Sequence, residues 1–239
     1  RETYPKDGDR VASYWPMLSA WLCSHLWEHY LFNGDEEFLR KEAYPLMKSA
    51  SDFFMDWLVD NGEGYLVTPV STSPENMFTT PDGKRATVSM GCTMDIALIR
   101  ELFARTAEAA EKLNTDEDFR HLLQAKSALL LPYRIGSKGQ LQEWQYDFDE
   151  PEPQHRHLSH LYGMHPGNQI SCDQTPELFD AVKRTLEIRG DEASSWSIGL
   201  KMNLWARLLD GIHAYGIIRN FMHPVGFGEN PKTNGGLYR

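Results

Sequence analysis

Bulky side chains recur along this chain at helical spacing, in segments joined alternately by tight turns and long loops, and that rhythm limits the fold to packed helical hairpins. Trp15, Leu18, Leu22, Leu26 and Tyr30 follow one another at intervals of three or four, which predicts a helix with those residues as its apolar face. Asn33-Gly34-Asp35 supplies a C-cap, a turn and an N-cap. A second helix then carries Phe38, Leu39, Leu46, Ala50, Phe53, Phe54, Trp57 and Leu58 as its face. Pro45 has no N–H to donate, so it should kink or divide this helix. Asn61-Gly62-Glu63-Gly64 closes the hairpin, and Tyr65 to Val70 is a short apolar stretch before a polar loop.

Thr93 reads as the N-cap of a third helix with Asp95 in its first turn, and Ile96, Ile99, Leu102, Phe103, Ala107 and Ala110 repeat with helical period up to Leu113. Thr115 or Asp116 starts a fourth through Phe119, Leu122, Leu123 and Leu129, closed by Pro132. Pro176 suits the start of a helix running to Arg189, and Trp196 to Leu209 and Ile212 to Met222 continue the alternation. Strand signals are weak and confined to loops. The expected fold class is therefore all-α, an α/α toroid or a helical solenoid in which the long loops gather on one face. Those loops run from about Tyr65 to Cys92 and from about Leu131 to Gln154, and the aromatics Trp144, Tyr146 and Phe148 argue against disorder in the second.

Composition narrows the partners. With 41% hydrophobic and 24% charged residues over 239 positions the chain has an ordinary globular balance. The greasiest run, Trp15 to Phe32, is broken by Ser19, Ser24, His25, Glu28 and His29, so no membrane insertion is expected. A net charge of -10 without a segregated basic patch disfavours nucleic acid. Cys23, Cys92 and Cys172 are odd in number and far apart, which suggests neither a disulfide framework nor a thiolate metal site. The chain opens at Arg1 without Met or a signal peptide, and the expectation is truncation.

Three clusters hold chemistry-bearing side chains. In Thr68-Pro69-Val70-Ser71-Thr72-Ser73-Pro74-Glu75-Asn76 the prolines restrict the backbone around one acid, Glu75. A carboxyl near Pro74 and Tyr65 or Phe78 is expected to have a raised pKa and to suit a general acid; the plainer reading is a solvated turn residue. The second cluster is Glu143-Trp144, then Asp147, Asp149, Glu150 and Glu152, then His155-Arg156-His157-Leu158-Ser159-His160. Acids, imidazoles and an indole together resemble a sugar site, where aromatic faces receive the apolar side of a pyranose. The three histidines do not share one face of a regular helix, since offsets of two and five residues turn about 200° and 140° from the first. Solvated acids with one core histidine are the alternative. The third cluster, His25-Leu26-Trp27-Glu28-His29, matches the H-x-x-E-H zinc-peptidase pattern, with Glu101 or Glu108 as a possible third ligand; histidines hydrogen-bonded in a packed helix pair are the simpler reading. Most tryptophans sit at helical apolar positions, whereas Trp144 and Trp196 stand beside polar residues where a ligand platform is a fair alternative.

Several stretches together resemble the catalytic domain of glycoside hydrolase family 95, the inverting 1,2-α-L-fucosidases. They are W-P-M-x-x-A-W-L-C-x-H-L-W-E-H-Y (residues 15–30), S-T-S-P-E-N (71–76), G-Q-L-Q-E-W (139–144), H-R-H-L-S-H-L-Y-G (155–163), P-G-N-Q-I (166–170) and N-L-W-A-R-L-L-D-G (203–211). Each is weak alone; their order and spacing span the chain.

The resemblance implies that residues 1–239 form part of a single (α/α)6 barrel, with the remainder of the parent chain completing it. It implies a glycoside hydrolase acting on fucosylated glycans without a cofactor, metal or nucleic acid. Glu75 would be the acid that protonates the glycosidic oxygen; Glu28, His157 and His160 would bind sugar hydroxyls, with Trp144 and Trp196 near the pocket. In the family, an asparagine backed by an aspartate activates the water. The segments carrying them would lie before Arg1 and after Arg239, because Asn220, Asn230 and Asn234 stand in other contexts. The isolated chain is therefore expected to hydrolyse fucosides poorly. A further departure is Glu192-Ala193-Ser194-Ser195-Trp196-Ser197-Ile198-Gly199-Leu200-Lys201, where the family reads G-G-T-G-W-S-x-A-W-K. An α-L-galactosidase of the same family, a zinc peptidase and a non-catalytic glycan-binding domain are the alternatives. The family likeness also implies an extracellular or periplasmic setting.

Overall fold

The computed structural model describes residues 14–222, and Asn230 and Asn234 lie outside them. The described residues are mostly helical, so the fold class is all-α as the periodicity predicts. Among the described residues strand is limited to three antiparallel two-stranded ribbons of two residues per strand: β1 (Val59–Asp60) with β2 (Leu66–Val67), β3 (Ser71–Thr72) with β6 (Val88–Ser89), and β4 (Phe78–Thr79) with β5 (Arg85–Ala86). No helix among the described residues is long and apolar enough to cross a membrane. The chain divides into two compact units, residues 1–74 with 87–132 and residues 75–86 with 133–239.

The first unit holds α1 (Leu18–Asn33), α2 (Glu36–Phe38), a π turn (Leu39–Ala43), α3 (Tyr44–Trp57), α4 (Thr93–Lys112) and α5 (Glu117–Ala128). Gly34 closes α1 in the left-handed region at φ 66°, a conformation with no Cβ penalty for glycine. Asp35 then caps α2 by accepting from the Glu37 and Phe38 amides. Pro45 divides the second helix through its hydrogen-bond ladder: the turn before it widens to π spacing, with Tyr44 N–H reaching Leu39 O, which relieves the crowding a proline ring creates. Residues 93–112 match the sequence reading closely; Ile96, Ile99, Leu102, Phe103, Ala107 and Ala110 are all buried, and the N-cap falls one residue earlier, at Cys92.

Two apolar faces differ from expectation. On α1 the buried residues are Ala20, Cys23 and Trp27, whereas Leu18 and Leu22 are 57% and 51% exposed. The helix is apolar on both sides, and the Trp27 side faces the first unit's core, where Arg105 lies 5.6 Å over its ring. On α3 the buried side is Met47, Ala50, Ser51 and Phe54, leaving Leu46 and Phe53 exposed. Phe53 stacks on Trp57 instead, at 5.7 Å.

The second unit contains α6 (Pro176–Arg189), α7 (Ser195–Arg207) and α8 (Gly211–Phe221), in agreement with the proline and periodicity signals. Leu161, Val182, Leu186, Leu204, Trp205 and Ile217 are central in its core. The Leu141 amide donates to Thr185 Oγ1 at 3.0 Å, which fastens the G-Q-L-Q-E-W segment to α6. The two long loops meet here: the Thr79 amide donates to Asp149 O at 2.8 Å, and Phe78 stacks on Phe148 with centroids 4.3 Å apart.

Candidate active site

Glu75 sits in the turn that leads into β4, and its neighbour fixes that turn. Asn76 is buried; its Oδ1 accepts from the Met77 amide at 2.9 Å and its Nδ2 donates to Glu143 Oε2 at 3.0 Å. With Asn76 held inward, the Glu75 side chain remains partly exposed. It meets the H-R-H-L-S-H segment: Arg156 Nη2 donates to Glu75 Oε2, and His157 Nε2 lies 3.2 Å from the same oxygen. The Arg156 backbone is anchored in turn, its carbonyl accepting from Ser197 Oγ at 2.5 Å in the first turn of α7.

The electrostatics of Glu75 run against the sequence reading. Burial works to raise its pKa, but the charges of His157 and Arg156 and their hydrogen bonds outweigh it, leaving the carboxyl below its ordinary value. The apolar neighbours near Pro74 led to the opposite expectation; a guanidinium and an imidazole from a segment some eighty positions away reverse it. Burial lowers the pKa of His157, with Glu75 opposing and His155 and Arg156 reinforcing.

The remaining candidates separate. Trp196 is 50% exposed and lies against His157 at 4.7 Å, so it offers an open aromatic face next to the imidazole that contacts Glu75. Trp144 does not: it is 2% exposed, packed against Phe78 at 5.1 Å, and the expected platform is a core residue. The physical reason is the convergence of Phe78 and Phe148, which enclose the indole. His160 is also buried, within the 3-10 turn Ser159–Gly163, and its Nδ1 stands 3.3 Å from Glu143 Oε2. Burial, with Arg189 nearby, depresses its pKa to about 3 and keeps the imidazole neutral. It has no open face for a sugar hydroxyl in this arrangement. His155 is buried as well, stacked on His157 at 5.3 Å and with Nδ1 3.1 Å from Glu152, so two histidines of this segment lie in the core where the alternative reading had one.

Glu28 is exposed on α1, in the first unit, whereas the cluster around Glu75 is built from second-unit residues. Beside it His29 bonds Asn33 at 2.9 Å and meets Phe38 edge-on at 4.4 Å. Glu101 and Glu108, the suggested third zinc ligands, both face Arg105. Among the described residues no three His, Cys, Asp or Glu side chains converge as a metal site.

Sequence reasoning missed a buried polar group behind Glu75. Glu143 accepts from Asn76 and, at 2.7 Å, from Arg189 Nη2; Arg189 also donates to Glu150 and, at 2.8 Å, to the Pro153 carbonyl. Asn76, Glu143 and Arg156 all lay inside the matched motifs, which was the available signal. Arg189 lay outside them, as the last residue of a helix.

A partly exposed acid flanked by a guanidinium, an imidazole and an open indole is an arrangement suited to a sugar hydrolase. The chain belongs to glycosyl hydrolase family 95, whose catalytic domain it matches over residues 1–239. It is 45% identical to alpha-L-fucosidase 2 of Arabidopsis thaliana over 238 residues, 99% of this chain and 28% of that protein. It is 35% identical to a probable alpha-fucosidase A of Aspergillus niger over 218 residues, 86% of this chain and 27% of that one. The chain thus spans little more than a quarter of these relatives.

Proposed function

We propose that this chain carries the general-acid side of an α-L-fucosidase active site, and that the whole protein removes terminal α-1,2-linked L-fucose from glycans with inversion. The observation that carries the reading is the position of Glu75, with its Oε2 held by Arg156 and His157 beside the exposed Trp196. The names of its relatives support the fucoside.

The chemistry follows from the environment. A sugar leaving group is a poor one, so the bond breaks only when its oxygen receives a proton as the oxocarbenium-like transition state forms. Glu75 is the candidate donor. Arg156 and His157 hold it below its ordinary value and so keep it ionised. A sugar entering between Glu75 and Arg156 would part the pair, and burial, the largest influence on this carboxyl, would then favour the protonated form. Trp196 would receive the apolar face of the ring. Glu143 and Glu150 are both bonded to Arg189, so neither is poised to activate water. That role falls to residues beyond this cluster, as the family's asparagine and aspartate suggest.

The test uses 2'-fucosyllactose and an aryl α-L-fucoside with a good leaving group, in the full-length protein. Glu75→Gln should abolish release of fucose from the first and spare the second, because only the poor leaving group requires the proton. Inversion requires that β-L-fucose appear first in the NMR spectrum of the products. Equal loss on both substrates, or initial release of the α anomer, would overturn the respective part.

A further inference from the structure

The Glu143–Arg189 pair is chemically more than a core needs. Both side chains are essentially inaccessible, at 0% and 2% exposure, and two charges taken out of water recover their hydration only through excellent geometry. Apolar side chains of similar volume would often hold a core equally well. What apolar residues do not supply is direction. Glu143 Oε2 receives Asn76 Nδ2 at 3.0 Å and Arg189 Nη2 at 2.7 Å, with His160 Nδ1 at 3.3 Å. Asn76 adjoins Glu75, and His160 follows His157 by three residues on the same segment, so one buried carboxylate touches both strands of chain that bring Glu75 and His157 together.

We propose that Glu143, braced by Arg189, is a positioning residue for the acid: through Asn76 it sets where Glu75 stands relative to His157 and the scissile oxygen. The proposal rests on the reading of Glu75 as the general acid. Glu143 touches no substrate and exchanges no proton in the reaction; it holds Asn76 inward so that the next carboxyl points outward. Displacing a reacting group by about 1 Å costs on the order of 100-fold in rate, which sets the scale of the effect.

The experiment is a charge exchange in the full-length protein. Asn76→Asp sets a second carboxylate against Glu143 and should lower kcat on 2'-fucosyllactose about 100-fold with little change in KM. Adding Glu143→Gln restores an amide–carboxylate bond of reversed polarity while Arg189 keeps the Glu150 carboxylate, and should recover about tenfold or more. Asn76→Ala, which adds no charge, should give a smaller loss of the same kind should the charged variant not fold. The same variants acting on the aryl fucoside should be nearly unaffected, because that substrate needs no proton. Equal losses on both substrates, or recovery of the melting temperature without recovery of kcat, would overturn the positioning role. If Glu75→Gln itself shows no dependence on leaving group, it is the acid assignment that fails, whatever the Asn76 and Glu143 variants do.

Discussion

Arg156 donates through Nη2 to Glu75 Oε2, so the carboxyl that should deliver a proton rests against a permanent cation. The pair is partly exposed, with 45% and 36% of its side chains accessible, and its effect is on protonation more than on folding. Because Glu75 is held below its ordinary value, whatever stability it adds is present above the ordinary carboxylate range and is lost on acidification.

Removing the guanidinium therefore has a definite sign. In Arg156→Gln, burial counts for more and the Glu75 pKa rises, which a carboxyl 13C NMR titration of the two proteins measures directly. A general acid works while protonated, so the alkaline limb of the kcat/KM profile should move to higher pH in the variant. A limb that stays in place, or moves to lower pH, contradicts the assignment of Arg156 as the group that holds Glu75 ionised.

Asp95 carries the opposite sign in the first unit. It is fully buried at the start of α4, accepts from Thr68 Oγ1 at 3.0 Å, and burial raises its pKa to about 7, with Ser71, Thr68 and Trp15 opposing. The unfolded chain releases this proton near the ordinary carboxylate value while the folded chain keeps it, so stability falls as pH rises from about 4 to 7 and is level above that. Asp95→Asn should flatten that slope, by up to about 4 kcal/mol across the window. Urea unfolding at intervals between those limits checks it; equal slopes in the two proteins would reject a neutral Asp95.

Much of the helical frame was legible, and the reason is local. In α4 and α6 a single apolar stripe coincides with capping or proline signals, so period and boundary agree. In α1 two stripes compete, Leu18, Leu22 and Leu26 on one side and Ala20, Cys23 and Trp27 on the other; the second is turned inward, and nothing in the local sequence ranks one stripe above the other. The site divides the same way. Glu75 and His157 stood out because each lies in a dense motif, whereas the network behind them joins Asn76 to Glu143 across 67 positions and Glu143 to Arg189 across 46. Such partners become visible only after the chain has folded, and with them the direction of the Glu75 shift.

His160 provides a pH test in the second unit. Its imidazole is depressed to about 3 by burial, with Arg189 and His155 reinforcing and Glu150 opposing. The unfolded chain takes up this proton near 6.5 and the folded chain does not, so stability should be lost as pH falls from about 6.5 towards 3. His160 resonances should remain those of a neutral ring throughout the folded range, and His160→Gln should reduce the acid sensitivity. Titration of His160 between pH 5 and 7 in the folded protein would contradict this account.

The two tryptophans that the sequence placed together should behave differently when truncated. Trp144 is enclosed by Phe78 and Phe148, so Trp144→Ala leaves a large cavity and should cost about 3 to 5 kcal/mol in urea unfolding. Trp196 is half exposed, so Trp196→Ala should cost within about 0.5 kcal/mol. Its indole leans on His157, and losing that face should raise KM for the fucosylated substrate about tenfold while kcat changes less. Calorimetric or chemical unfolding and steady-state kinetics on the same two variants separate the roles. A large stability loss at Trp196, or an unchanged KM there, would remove it from the sugar-binding wall and leave Glu75 with His157 and Arg156 as the whole of the cluster.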